Sequence, residues 1–153
     1  MNIDLYLIFS GQWSVSRQLN GTLFFEGDAL FVSTKNGPIK YTEKGTVTHP
    51  NGHVGLGQRT YYFLIEDSGF FFSAYFDDQC AQIFHSVKVE RNNGEYVGQG
   101  NHKCLEDLYT SRYRFTSIHR WEWEHQVVGP KKNYLITSQY RRKEYTDKSK
   151  PPA

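Results

Sequence analysis

Methionine occurs once in this sequence, cysteine twice and proline five times. So little methionine argues against a pliable helical core, and two cysteines, Cys80 and Cys104, are too few for a disulfide scaffold. No apolar run is long enough to cross a bilayer. The stretch Met1 to Phe9 lacks the basic start and small-residue cleavage site of a secretory leader, so a cytoplasmic protein with free thiols is expected. A strong charge bias is also missing. Net charge is +2 and the pI about 8.5, too mild for a nucleic-acid-binding face. The basic stretch Arg141, Arg142, Lys143, Lys148, Lys150 reads as a strand end running into a solvated tail.

What is abundant is aromatic: 11 Tyr, 11 Phe and 3 Trp, 16% of the chain. Bulky rings favour strands that wall a large interior. Asn-Gly recurs at Asn20-Gly21, Asn36-Gly37, Asn51-Gly52 and Asn93-Gly94, and these pairs suit type I′ hairpin turns. Asp67-Ser68-Gly69 and Gly129-Pro130 add two more turn signals. Between the turns the residues alternate with period two. Trp13, Val15, Arg17 and Leu19 share one face, as do Ile39, Tyr41 and Glu43. The same holds for Arg59, Tyr61, Phe63, Ile65; for Phe70, Phe72, Ala74, Phe76; and for Ile83, His85, Val87, Val89. Two later rows are Asp107, Tyr109, Ser111, Tyr113, Phe115 and Trp121, Trp123, His125, Val127. The last, Tyr134, Ile136, Ser138, Tyr140, Arg142, pairs back across Gly129-Pro130.

No βαβ alternation is present, so a parallel sheet is not expected. Consecutive hairpins predict an all-β, up-and-down antiparallel barrel of about 8–10 strands, because closure removes exposed edges. A short N-terminal helix, with Ile3, Leu7 and Phe9 turned inward, is expected to lid one end. Residues 1–145 form the predicted domain and 146–153 a tail.

Gly11-Gln12-Trp13 at the start of the first strand resembles the Gly-x-Trp opening of lipocalins and other calycins. That resemblance implies that Trp13 plugs the closed barrel end and that a late basic residue, Arg142 or Arg141, packs over its ring. A second resemblance runs along most of the chain. It rests on Gly-x-Trp, Tyr41-x-Glu43-x-Gly45, Arg59-x-Tyr61, His102-x-Cys104-x-x-Asp107-x-Tyr109, Trp121-x-Trp123, Gly129-Pro130-x-Lys132-x-Tyr134 and Tyr140-x-Arg142. Together these resemble a family of short calycin-like barrels classed as a domain of unknown function. The resemblance implies the barrel and no activity.

Arg17, Glu43, Arg59, Asp107 and Arg142 share the parity of the inward rings, with His85 and His125. A buried charge left unpaired is costly, so these groups are expected to pair, to reach a wet cavity or to meet a ligand. With Arg142 assigned to Trp13, Arg17 and Arg59 balance Glu43 and Asp107, and no anionic ligand is demanded. The expected function is binding of a small apolar or aromatic, partly polar molecule by Arg17, Tyr41, Glu43, Arg59, Tyr61, Asp107, Tyr109 and Trp123. The alternative is a cofactor-independent lyase, isomerase or hydratase. There Glu43 or Asp107 would be the base, and Arg59 with Tyr109 would polarise the substrate, as in barrels such as phenolic acid decarboxylases. His102, Cys104 and Asp107 do not match a standard zinc spacing, and no metal or cofactor is expected. A loop before a strand is expected there. No nucleic-acid or membrane partner is expected either; an interaction surface would need solvent-facing Tyr62, Phe71 and Tyr75. The chain is expected to be a monomer or a dimer.

Overall fold

The computed structural model describes residues 4–34, 37–66, 71–80 and 82–143. Ile3, Asn36, the Asp67-Ser68-Gly69 turn, Phe70 and the 146–153 tail lie outside the described residues.

Ten antiparallel strands follow one short helix. They are α1 (Leu5–Phe9), β1 (Gly11–Leu19), β2 (Leu23–Ser33), β3 (Ile39–Thr48), β4 (Val54–Ile65), β5 (Phe71–Tyr75), β6 (Ile83–Asn92), β7 (Glu95–Cys104), β8 (Asp107–Ser117), β9 (Arg120–Val128) and β10 (Asn133–Arg142). Each strand pairs with its sequence neighbour, and β1 pairs with β10, so the meander closes into a calycin-like barrel. The closing register sets Trp13 opposite Arg142. Among the described residues no helix is long and apolar enough to cross a membrane.

The turns work as their residues demand. Asn20-Gly21 and Asn93-Gly94 both carry positive φ, as a type I′ turn requires. Asn51 uses its side chain instead, accepting from the His53 N–H at 2.9 Å. On the wall, Gly27 and Gly45 face each other across β2 and β3. A Cβ on Gly45 would sit 2.2 Å from the Glu26 carbonyl oxygen, so only glycine permits this approach.

Asp4 caps α1 by accepting from the backbone N–H of Tyr6 and Leu7 at 3.0 and 3.3 Å. The inward side of α1 is Leu5, Ile8 and Phe9, whereas Leu7 is 71% exposed. The expectation that Leu7 faces inward therefore fails on helical phase. Only one turn of helix exists, and Asp4 starts it one step out of register with that pattern. Phe9 is the cork of the barrel. Its ring lies 5.1–5.6 Å from those of Phe31, Phe63, Phe72, Phe115 and Trp121.

Two further departures come from strand irregularity. Ala74 pairs with His85 but Tyr75 pairs with Ile83, so Phe84 is the extra residue of a bulge. The bulge turns Ile83 outward, against expectation, and brings the Phe84 ring to 5.5 Å from Tyr61 and 5.0 Å from His125. β5 stops at Tyr75, so Phe76 leaves the predicted strand row and is half-exposed against Tyr61 and Phe84.

Candidate functional site

Strand direction gives the barrel two ends. α1 and the β8–β9 turn close one; the β1–β2, β3–β4, β7–β8 and β9–β10 turns ring the other.

At the closed end, Trp13 is fully buried and donates its indole N–H to the Phe9 carbonyl at 2.9 Å. The Arg142 guanidinium lies 4.2 Å from the Trp13 ring centroid. Arg142 also donates to the carbonyls of Ile118, Ser10, Leu7 and Ile8, tying helix, turn and last strand together. Arg141, the other candidate, faces outward. This is a structural seal.

Midway down the lumen sits a buried ion pair. Arg17 and Glu43 are 9% and 2% exposed. Arg17 grips the carboxylate with two N–H···O bonds of 2.5 and 2.8 Å. Its Nε donates to Ser138 Oγ at 2.7 Å and its Nη2 to Tyr140 Oη at 3.1 Å. Tyr41 Oη donates to Glu43 Oε1 at 2.5 Å and lies 2.9 Å from Tyr140 Oη. Burial alone would raise the Glu43 carboxyl, but the hydrogen bonds and charge of Arg17 overcome it and hold it below its ordinary value. Burial likewise opposes the Arg17 charge, and Tyr140, Glu43 and Tyr41 outweigh it. Desolvation pushes the phenols of Tyr41 and Tyr140 up. Both Glu43 oxygens are engaged, and its proton affinity is lowered. That is poor equipment for a general base.

Beside it runs a second chain of polar groups. His85 Nε2 lies 2.6 Å from Tyr113 Oη, and Ser111 Oγ lies 3.3 Å from His85 Nδ1 and 3.0 Å from His125 Nδ1. Burial, followed by the neighbouring histidines, pushes His85 down to about 3; burial and then Arg59 push His125 down to about 4. Both imidazoles are neutral at physiological pH.

Toward the mouth lies a cavity of about 160 Å³. Leu19, Leu23, Phe25, Val47 and Ile136 form its apolar wall, and Arg17, Glu43, Gln58 and Arg59 its polar edge. Arg59 is exposed at the rim, its guanidinium 5.7 Å from the Tyr61 ring centroid. Two larger hollows, about 550 and 590 Å³, lie on the outer wall among charged side chains such as Arg112, Arg114, Glu122 and Glu124. These are furrows of the twisted sheet, laced by ion pairs of Arg114 with Glu95 and Glu122 and of Arg112 with Glu124.

The sequence-predicted site residues therefore divide. Arg17, Tyr41 and Glu43 meet, while Arg59 and Tyr61 stand next to them at the mouth. Asp107 does not balance Arg59. It pairs at 3.4 Å with Lys132 of the β9–β10 turn, and Lys132 also donates to Tyr109 Oη. Tyr109 stacks on His125, and Trp123 on Tyr113. His102 and Cys104 lie within β7, paired with Tyr109 and Asp107, rather than in a loop. Both cysteines are unbridged. Among the described residues no three His, Cys, Asp or Glu side chains group as metal ligands. Ser138, Tyr140, Ser111 and Tyr113 complete the two networks, and the only sequence signal for them is shared parity with Arg142 and Asp107.

No protein of curated function matches the sequence. Among solved structures, the S-type phycobiliprotein lyase CPES from Guillardia theta has the same fold, with 8% identity, 95% of each chain covered and a TM-score of 0.58. The redesigned barrel mFAP1, solved bound to DFHBI, is 10% identical over 92% of this chain and 100% of its own, with a TM-score of 0.45. A de novo designed fluorescence-activating β-barrel is 12% identical over 92% and 99% of the two chains, with a TM-score of 0.46. The model of a family of unknown function, DUF6314, matches residues 9–142, and the chain belongs to that family.

Proposed function

We propose that this protein is a non-enzymatic binding barrel that takes one compact, largely apolar molecule through its open end. The observation that carries the reading is the 160 Å³ cavity with an apolar wall and a satisfied polar floor. An apolar protein cavity of about 150 Å³ is known to hold benzene, so a single ring with a small substituent is the right size. The floor, Arg17 and Glu43 backed by Tyr41 and Tyr140, orients but does not react, because these groups satisfy one another. The likeness in fold to a phycobiliprotein lyase supports a barrel used on small molecules. The unbridged cysteines fit the cytoplasmic setting expected from the sequence.

The test is native mass spectrometry and thermal shift against a library of small aromatic and branched aliphatic compounds. Hits are expected to raise the melting temperature in proportion to occupancy. Ile136→Trp, which fills the cavity, is expected to abolish those shifts while the barrel still folds. A library without a stabilising compound, or hits that survive Ile136→Trp, would overturn the assignment.

A further inference from the structure

The charges of the lumen do not balance as alternation suggests. Arg17 and Glu43 neutralise each other through two hydrogen bonds. Asp107 is taken by Lys132 at the rim. Burial, then neighbouring charge, holds His85 and His125 neutral. What remains is the Arg59 cation: among the described residues no carboxylate lies within ion-pair distance of it. Tyr61 is its ring neighbour and side-chain hydrogen-bond partner, and brings no counter-charge. Glu43 stands opposite Arg59 across β3 and β4, but each of its oxygens already accepts from Arg17, and one also from Tyr41. The cavity edge therefore carries a positive charge whose cross-strand carboxylate is already engaged.

We propose that the ligand is a small organic monoanion. Its apolar body fills the cavity against Leu19, Phe25 and Ile136, and its carboxylate or equivalent acid group is held at the rim by Arg59. This rests on the binding reading above and adds the charge class of the ligand. A guanidinium is suited to the task, since its planar N–H fork matches a carboxylate and it stays charged at every physiological pH. Position adds selectivity. A cationic ligand would place its charge against Arg59, and a neutral one would leave the guanidinium to water.

Calorimetric titration with benzoate, benzyl alcohol and benzylamine separates the possibilities, because the three share one ring and differ in charge. Benzoate is expected to bind about tenfold or more tighter than benzyl alcohol, the scale of a charge-assisted hydrogen-bonded contact. Benzylamine is expected to bind weakest. Arg59→Gln is expected to erase the preference, and Arg59→Lys to keep part of it. Both variants alter an exposed side chain, and circular dichroism verifies that they fold. Equal affinity for benzoate and benzyl alcohol, or a preference unchanged in Arg59→Gln, would overturn the anion assignment and leave the binding barrel standing. If none of the three binds, the cavity is no ligand site and both readings fall.

Discussion

The two ends of this barrel are built from the same alternating strands and do opposite things. At the closed end the inward rows of β2, β4, β5, β8 and β9 bring large rings together, with Ile39 and Val89 buried in the same core. Phe31, Phe63, Phe72, Phe115 and Trp121 meet around Phe9, and Trp13 and Arg142 seal the outside. Beside Phe25 at the open end the inward positions Leu19, Leu23, Val47, Gly57 and Ile136 are too small to meet, and a cavity remains. Between them the Arg17–Glu43 network divides dry core from mouth. Side-chain volume along each strand, rather than any change in topology, makes one end a stopper and the other a receptacle.

The largest effects are expected where the stopper is broken. Phe9→Ala removes the ring shared by five neighbours and is expected to cost about 3–5 kcal/mol in denaturant unfolding. Ile136→Ala at the mouth, half-exposed already, is expected to cost about 1 kcal/mol. Equal costs at the two ends would erase the contrast. The divider behaves differently from both. Arg17→Met alone strands the Glu43 carboxylate in the interior and is expected to cost about 3–5 kcal/mol. Adding Glu43→Leu is expected to recover most of that loss, and a double variant no better than the single would show that the pair itself is indispensable.

Acid sharpens the comparison further. His85 and His125 are held to about 3 and about 4 by burial first, against 6.5 when unfolded. The unfolded chain thus takes up protons that the folded one refuses. Stability from these groups is fully present above about pH 6.5 and is lost as pH falls toward 3–4. Glu43, held below 4.5, adds a second loss beneath that value. Urea midpoints measured from pH 8 to 4 are expected to stay level and then fall below about 6.5, with His85→Gln flattening the slope. A midpoint constant down to pH 4.5 would place the imidazoles in water. The smallest effect belongs to the rim: Arg59→Gln is expected to change unfolding stability by less than about 0.5 kcal/mol, because its role is toward a ligand.

Much of this was legible in the strands themselves. Alternation identifies the inward rows, and the calycin resemblance implies a ring-packing partner for Trp13 at Arg142 or Arg141, of which Arg142 is the one over the ring. Alternation also identifies Arg17 and Glu43 as interior charges, because nothing local is needed to know which face they share. Their partners were not legible. Arg17 meets Tyr140 and Ser138 because β1 closes on β10, a contact 121 to 123 residues away in sequence. Parity assigns Asp107 to the lumen, yet it is the first residue of β8 and sits at rim height beside Lys132. Parity gives a side and not a depth. Ile83 and Phe84 escaped because one bulge inverts the pattern without any glycine or proline to announce it. Leu7 escaped because one turn of helix is too short to define a phase.

The central claim is that the open end is a receptacle and the closed end is not. Methyl-resolved NMR during a benzoate titration tests it most directly. The account predicts saturable shifts at Leu19, Leu23, Val47 and Ile136, with Leu5, Val87 and Val89 unmoved. Shifts centred on the closed-end methyls, or confined to the outer furrow around Val97, would contradict it.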